Sequence, residues 1–147
     1  MQSQQFTGRV QPVTLVVTGY SWSLMRLMIV EDHVGIRKKI CELLARPNVE
    51  MYECGAGEQA MWSAHDFQPD WIIMDVHLPG VNGFEATEAI RRELRSVRFV
   101  IISAEDRDYL RHQALAVGAE QFLSKHDLAQ LPRMLYGESP QPLGHAS

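Results

Sequence analysis

The sequence predicts an α/β protein built on a doubly wound parallel sheet of five strands flanked by five helices. Two observations carry this. Three continuously apolar runs, Leu27-Met28-Ile29-Val30, Trp71-Ile72-Ile73-Met74 and Phe99-Val100-Ile101-Ile102, read as strands covered on both faces. Segments with apolar residues at helical spacing separate them, and such alternation implies right-handed crossovers between strands that all run one way.

The elements follow in order. After the first run, Ile36, Ile40, Leu43 and Leu44 put one apolar stripe on a helix. Pro47-Asn48 ends it, and residues 49–54 form a more polar, outer strand because Glu50, Tyr52 and Glu53 interrupt the apolar pattern. Residues 57–66 are helical, with Ala60, Met61 and Ala64 inward, and Met61 and Trp62 read as packing residues. Pro69 and Asp70 introduce the third strand. Pro79, Gly80, Asn82 and Gly83 then make a loop before a helix over 84–94 that carries Ala86, Ile90 and Leu94. The fourth strand is the run from Phe99. Leu110, Ala114 and Val117 mark a helix closed by Gly118 in the position that favours a left-handed cap. Gln121-Phe122-Leu123-Ser124 is the last strand. Pro132 would break a helix begun at Asp127 but suits the first turn of one begun near Leu131, so the final helix is expected to be short or irregular at its start.

Composition bounds the rest. A chain of 147 residues, 46% hydrophobic and 22% charged, has the make-up of one globular domain. Its net charge of −4 argues against a general nucleic-acid binder. Cys41 and Cys54 form no CxxC pair and no disulfide framework, so a reducing, cytoplasmic setting is the default, and no apolar run approaches a membrane span. Residues 1–24 are an N-terminal extension whose apolar stretch, Val13-Thr14-Leu15-Val16-Val17, is shorter than a signal-peptide core of roughly 7–15 residues. Thr14 to Val17 is read as an extra edge strand or part of a mobile arm. Residues 25–137 form the domain, and 138–147, with Pro140, Pro142 and Gly144, a disordered tail.

Doubly wound sheets carry their chemistry beyond the carboxyl ends of the strands. There this chain sets Glu31 and Asp32 after the first strand, Asp75 at the end of the third, Ser103-Ala104-Glu105 at the fourth and Lys125 after the fifth. Crowded carboxylates repel one another unless a cation joins them, and Mg²⁺ suits oxygen ligands supplied by one or two carboxylates plus phosphate and water. A lysine and a hydroxyl aimed at the same place offer a point charge and a donor to an anion. Together these describe a phosphoryl-transfer site whose acceptor is a carboxylate. Asp32 taken alone reads equally well as a helix cap; the five positions together do not.

Leu27-Met28-Ile29-Val30-Glu31-Asp32-His33, the segment Met74-Asp75-Val76-His77-Leu78-Pro79-Gly80-Val81-Asn82-Gly83, Ile102-Ser103-Ala104 and Phe122-Leu123-Ser124-Lys125 resemble the receiver domain of two-component response regulators, over about residues 26–136. The segment from Ala114 to Ala119 is also similar to receivers that precede helix-turn-helix outputs. The resemblance implies a flavodoxin-like fold with strand order 2-1-3-4-5, and a signalling switch rather than a metabolic enzyme. It implies that Asp75 accepts a phosphoryl group from a histidine kinase or histidine phosphotransfer protein. Asp32, Asp75 and the His77 main-chain carbonyl would bind Mg²⁺, with Glu31 acting through water. Lys125, Ser103 and the Ala104 N–H would contact the phosphoryl group, and Ser103 with Phe122 would form the switch. The face of the fourth helix, fifth strand and fifth helix would meet an output protein or a second copy of the chain. Two departures stand out. Lys125 is followed by His126 rather than proline, so the usual cis bond is not carried over. After Tyr136 only eleven residues remain, too few for a DNA-binding module, so no nucleic-acid contact is expected through this chain.

Three other readings compete. A pseudo-receiver would bind a partner without phosphorylation, which the His126 departure favours and the intact carboxylate set opposes. Gly55-Ala56-Gly57-Glu58-Gln59-Ala60 fits a relaxed dinucleotide fingerprint, but its preceding strand is polar and it leaves Glu31, Asp32, Ser103 and Lys125 without roles. Arg37, Lys38, Lys39, Arg91, Arg92, Arg95 and Arg98 make either a solvated face, a docking surface for an acidic partner or a nucleic-acid patch; the first two are preferred. The six histidines show no metal-ligand spacing and read as solvated or capping residues.

Overall fold

The computed structural model describes residues 14–17 and 20–137. In chain order its elements are β1 (Thr14–Val17), β2 (Tyr20–Ser23), β3 (Met25–Val30), α1 (Val34–Leu44), β4 (Val49–Cys54), α2 (Gly57–Phe67) and β5 (Trp71–Asp75). Then follow α3 (Gly83–Glu93), β6 (Arg98–Ser103), α4 (Asp108–Ala116), β7 (Gln121–Ser124), a 3₁₀ segment (Lys125–Gln130) and α5 (Leu131–Tyr136). Residues 1–13 and the tail expected at 138–147 lie outside the described residues.

Strands β4-β3-β5-β6-β7 lie side by side in that order, every pair parallel. Counted among these five alone the order is 2-1-3-4-5, as expected. The chain leaves β3 to one side to make β4, then returns across it to make β5. The carboxyl ends of β3 and β5 therefore flank the switch point of the sheet, where such folds place ligands. The polar strand β4 is an edge strand, which explains its interrupted apolar pattern. Thr14–Val17 does not join the edge of this sheet; it pairs antiparallel with Tyr20–Ser23 in a two-stranded sheet of its own.

Alternation along the strands divides the core in two. Met28, Val30, Ile72, Met74, Phe99, Ile101 and Phe122 face one side and pack with Ala60, Ala64, Phe84, Ile90, Leu110 and Ala114 from α2, α3 and α4. Leu27, Ile29, Trp71, Ile73, Val100, Ile102 and Leu123 face the other and pack with Ile40, Leu44, Leu131 and Leu135 from α1 and α5. Pro132 sits in the first turn of α5, with the 3₁₀ segment absorbing the irregular approach. Trp62 is a correction. It is 78% exposed rather than packed, because α2 turns Ala60 and Ala64 inward and Trp62 lies on the solvent side.

Candidate functional site

Glu31 and Asp75 reach the switch point at the ends of buried strands and are themselves buried, at 0% and 1% exposure. Asp32, one residue further, turns out to solvent. It is not the helix cap: His33 takes that place, its Nδ1 accepting the Ile36 N–H at 3.1 Å, so the Asp32 carboxylate remains available to the site. One carboxylate oxygen from each of Glu31, Asp32 and Asp75 lies within 4.8 Å of the others.

Lys125 enters from the end of β7. Its Nζ donates to Glu31 Oε1 at 3.0 Å and lies 3.0 Å from Glu31 Oε2 and 3.1 Å from Asp75 Oδ2. Burial pulls the ammonium pKa down, but the hydrogen bond to Glu31 and the charge of Asp75 outweigh it and hold it above its ordinary value. The carboxylates are less well served. Burial first, then the neighbouring Asp75, push the Glu31 carboxyl up to about 7 against the opposing pull of Lys125. Glu31 Oε2 and Asp75 Oδ2 share this one ammonium and have no other hydrogen-bond donor among the described residues, an expensive condition for buried carboxylate oxygens.

Charge counting fits a divalent cation to this deficit. With its three carboxylates ionised and one ammonium present, the cluster carries a net charge of −2. The donors are all oxygens, the ligand class of Mg²⁺, and among the described residues two of them have no donor but the shared ammonium. The residues present therefore fit the metal that the sequence led us to expect.

The other expected residues stand around this cluster. The His77 N–H donates to Asp75 Oδ1 at 3.3 Å. Ser103 is buried at the end of β6, where its hydroxyl accepts the Glu105 N–H at 3.0 Å. Among the described residues no hydrogen bond joins Ser103 to Asp75, and Ala104 is exposed in the loop beyond. Phe122 is 7% exposed within the core, and the Arg111 guanidinium lies 5.1 Å from its ring centroid. No cis peptide bond occurs among the described residues; the Ser124 hydroxyl accepts the His126 N–H at 3.2 Å.

Sequence reasoning missed Arg37, which it had placed in a basic patch. Arg37 Nη1 donates to the Glu31 main-chain carbonyl at 2.7 Å and Nε to Glu53 at 3.1 Å, tying the turn after β3 to strand β4. Its position beside Ile36 and three residues before the buried Ile40 was the available signal. Two more residues of that patch have acidic partners of their own: Arg92 pairs with Glu88 and Arg98 with Glu120. The dinucleotide reading fails on space, because a Cβ on Gly57 would sit 2.6 Å from the Val81 carbonyl oxygen; the chain's own loop fills the approach a cofactor would need. Burial pushes the Cys54 thiol up to about 12, and burial followed by the charge of Glu53 pushes Cys41 up to about 11, so neither is an activated nucleophile.

Comparison with known proteins agrees with this geometry. Residues 27–136 match the family described as response regulator receiver domain. The transcriptional activator protein ExaE of Pseudomonas putida is 35% identical over 103 residues, which cover 69% of this chain and 48% of that protein. The crystal structure of a LuxR-family two-component response regulator from Aurantimonas sp. SI85-9A1 is similar with a TM-score of 0.70 at 30% identity, covering 76% of this chain and 81% of the other. For the chemotaxis protein CheY4 of Vibrio cholerae the TM-score is 0.70 at 25% identity, over 76% and 96%. The chain spans about half the length of the first curated relatives it matches.

Proposed function

This chain belongs to the receiver family of phosphoaccepting response regulators, and on that premise we propose that Asp75 takes a phosphoryl group from the phosphohistidine of a histidine kinase or histidine phosphotransfer protein. The observation that carries the assignment is the burial of Asp75 at the end of β5, inside a carboxylate cluster and within 3.1 Å of a lysine ammonium. A carboxylate oxygen of Asp75 forms a bond to phosphorus as the phosphorus–nitrogen bond breaks. The electron pair leaves with the donor imidazole, which takes a proton from solvent. Water attacking the same phosphorus later returns the carboxylate and inorganic phosphate.

Asp32, Asp75 and the His77 carbonyl would hold Mg²⁺, with Glu31 acting through water. When bound, the metal offsets the charge on the transferring phosphoryl oxygens. The residues supply the rest. Lys125 offers its ammonium to the incoming group, and Ser103 and the Ala104 N–H turn toward it. Among the described residues the Ser103 hydroxyl accepts the Glu105 N–H and donates to no partner, which leaves its proton for the phosphoryl group. Residues 25–137 would be the working unit, acting in the cytoplasm, where both cysteines remain free thiols. Its output is an interaction through α4, β7 and α5 with another protein or a second copy. Incubation with acetyl phosphate and Mg²⁺ should add one phosphoryl mass to the wild type and none to Asp75→Asn. Undiminished labelling of the variant would overturn the assignment.

A further inference from the structure

We propose that Glu58 is a positioning residue for the phosphoacceptor, acting from the first turn of α2 on the loop that follows Asp75. Glu58 Oε1 accepts the Val81 N–H at 3.2 Å. A Cβ added to Gly80 would sit 2.6 Å from the same oxygen, so the carboxylate lies directly over the Gly80 α-carbon. Gly80 holds φ +75, a conformation in which glycine is at ease and other residues are strained. One residue before Glu58, Gly57 brings its backbone against the Val81 carbonyl, where a Cβ would be only 2.6 Å from the oxygen. The glycine-rich turn that resembles a dinucleotide fingerprint is thus half of an internal clasp.

The other end of the loop is held as closely. The Gly83 N–H donates to the Val76 carbonyl at 2.9 Å, and a Cβ on Gly83 would collide with the Asp75 carbonyl oxygen. Asn82 caps α3 by accepting the Glu85 N–H at 3.0 Å. Between these anchors the chain has little slack. The His77 N–H, which reaches Asp75 Oδ1, is aimed by how this loop is held. The same loop supplies His77, Pro79 and Asn82 to a cleft of about 520 Å³ beside Asp32. Releasing the clasp at Val81 should therefore loosen both the grip on the Asp75 carboxylate and the place of the His77 carbonyl.

The inference rests on the receiver reading above, and Glu58 has an alternative role as an acidic residue favourable to the α2 dipole. Glu58→Gln separates the two, since it keeps an acceptor oxygen and removes the charge. Titration of the apo protein with Mg²⁺, followed by amide chemical shifts, should show roughly threefold to tenfold weaker binding in Glu58→Ala, the range for one lost hydrogen bond. Val81 amide exchange should quicken in that variant, and acetyl phosphate labelling should slow by a similar factor. Glu58→Gln should restore all three. Wild-type Mg²⁺ affinity in Glu58→Ala, or equal defects in the Ala and Gln variants, would overturn the proposal and leave the receiver reading standing. A wild type that neither binds Mg²⁺ nor takes up a phosphoryl group would overturn both.

Discussion

The Glu31, Asp32, Asp75 and Lys125 side chains bear unequal burdens. Glu31 and Asp75 are buried and share one ammonium, so either is costly to the fold without its partner. Asp32 is exposed and is neither a cap nor an ion-pair partner of Lys125, so it is the carboxylate that can be removed with least structural consequence. Asp32→Ala should leave apo stability unchanged or raise it, because it removes one of three crowded carboxylates. Mg²⁺ at one hundred times its dissociation constant should stabilise the wild type by about 2.7 kcal/mol and the variant hardly at all. Thermal melts with and without Mg²⁺ measure both quantities. Phosphorylation of Asp32→Ala in EDTA at the wild-type rate would refute the metal assignment.

Two junctions between elements explain how α4 and β7 are set against the sheet. At the end of α4, the Ala119 N–H donates to the Ala114 carbonyl and the Gly118 N–H to the Leu115 carbonyl, both at 3.0 Å, with Gly118 at φ +97. This left-handed closure aims the chain into β7, the strand that delivers Lys125. A Cβ at Gly118 would also collide with the Arg91 side chain. Gly118→Ala should therefore cost at least the roughly 1–2 kcal/mol of a left-handed L-residue, read from urea melts. Beside it, Arg98 clasps Glu120 through Nε at 2.6 Å and Nη2 at 2.7 Å, with its guanidinium 4.2 Å from the Trp71 ring centroid. The hydrogen bonds from Arg98 hold the Glu120 carboxyl below its ordinary 4.5. Because the folded pKa is the lower one, this contribution is present above pH 4.5 and lost as pH falls through the folded value. Both side chains are about half exposed, so the pair is worth about 0.2–1 kcal/mol. Glu120→Gln should be less stable than wild type by that amount at pH 7, the gap closing as pH falls through the folded pKa of Glu120.

Across the whole molecule, the proposed switch would connect Asp75 with the α4–β7–α5 face through Ser103 and the loop after β6. A phosphoryl group brings charge and strong acceptor oxygens, and the Ser103 hydroxyl, released from Glu105, is placed to meet it. Phe122 is packed in the core on the α4 side of the sheet, while Arg111 lies over its ring and pairs with Asp106 in the loop itself at 2.7 Å. Movement of the loop therefore alters the contacts of both residues. With beryllofluoride as a stable mimic of the phosphoryl group, amide shifts should spread from Asp75 through Ser103 to residues 107–127 in the wild type. They should stay local in Ser103→Ala. Equal spread in both proteins would mean that the signal takes another route.

Local pattern by itself determined the five-stranded sheet, its four crossover connections and the residues at the strand ends. Buried parallel strands such as residues 71–75 advertise themselves as unbroken apolar runs, and the acids, hydroxyl and lysine gathered at the ends of several such runs are more than helix caps. The sequence also marked Gly118 as a helix stop and Pro132 as a helix start, because φ preference is a property of the residue and its neighbours. What spacing along the chain could not reveal was partnership across it. Arg37 looks like one cation in a solvated row until α1 is laid against β3 and β4, where it meets the Glu31 carbonyl and Glu53. Trp62 looks like core until the small residues Ala60 and Ala64 take the inward face of α2. Glu58 and Val81 are separated by 23 residues, and their hydrogen bond exists only because the ends of β4 and β5 come to the same rim of the sheet. Periodicity records which face of an element is dry. Which charged or polar group stands opposite is decided by the packing of elements, and only the tertiary structure contains that.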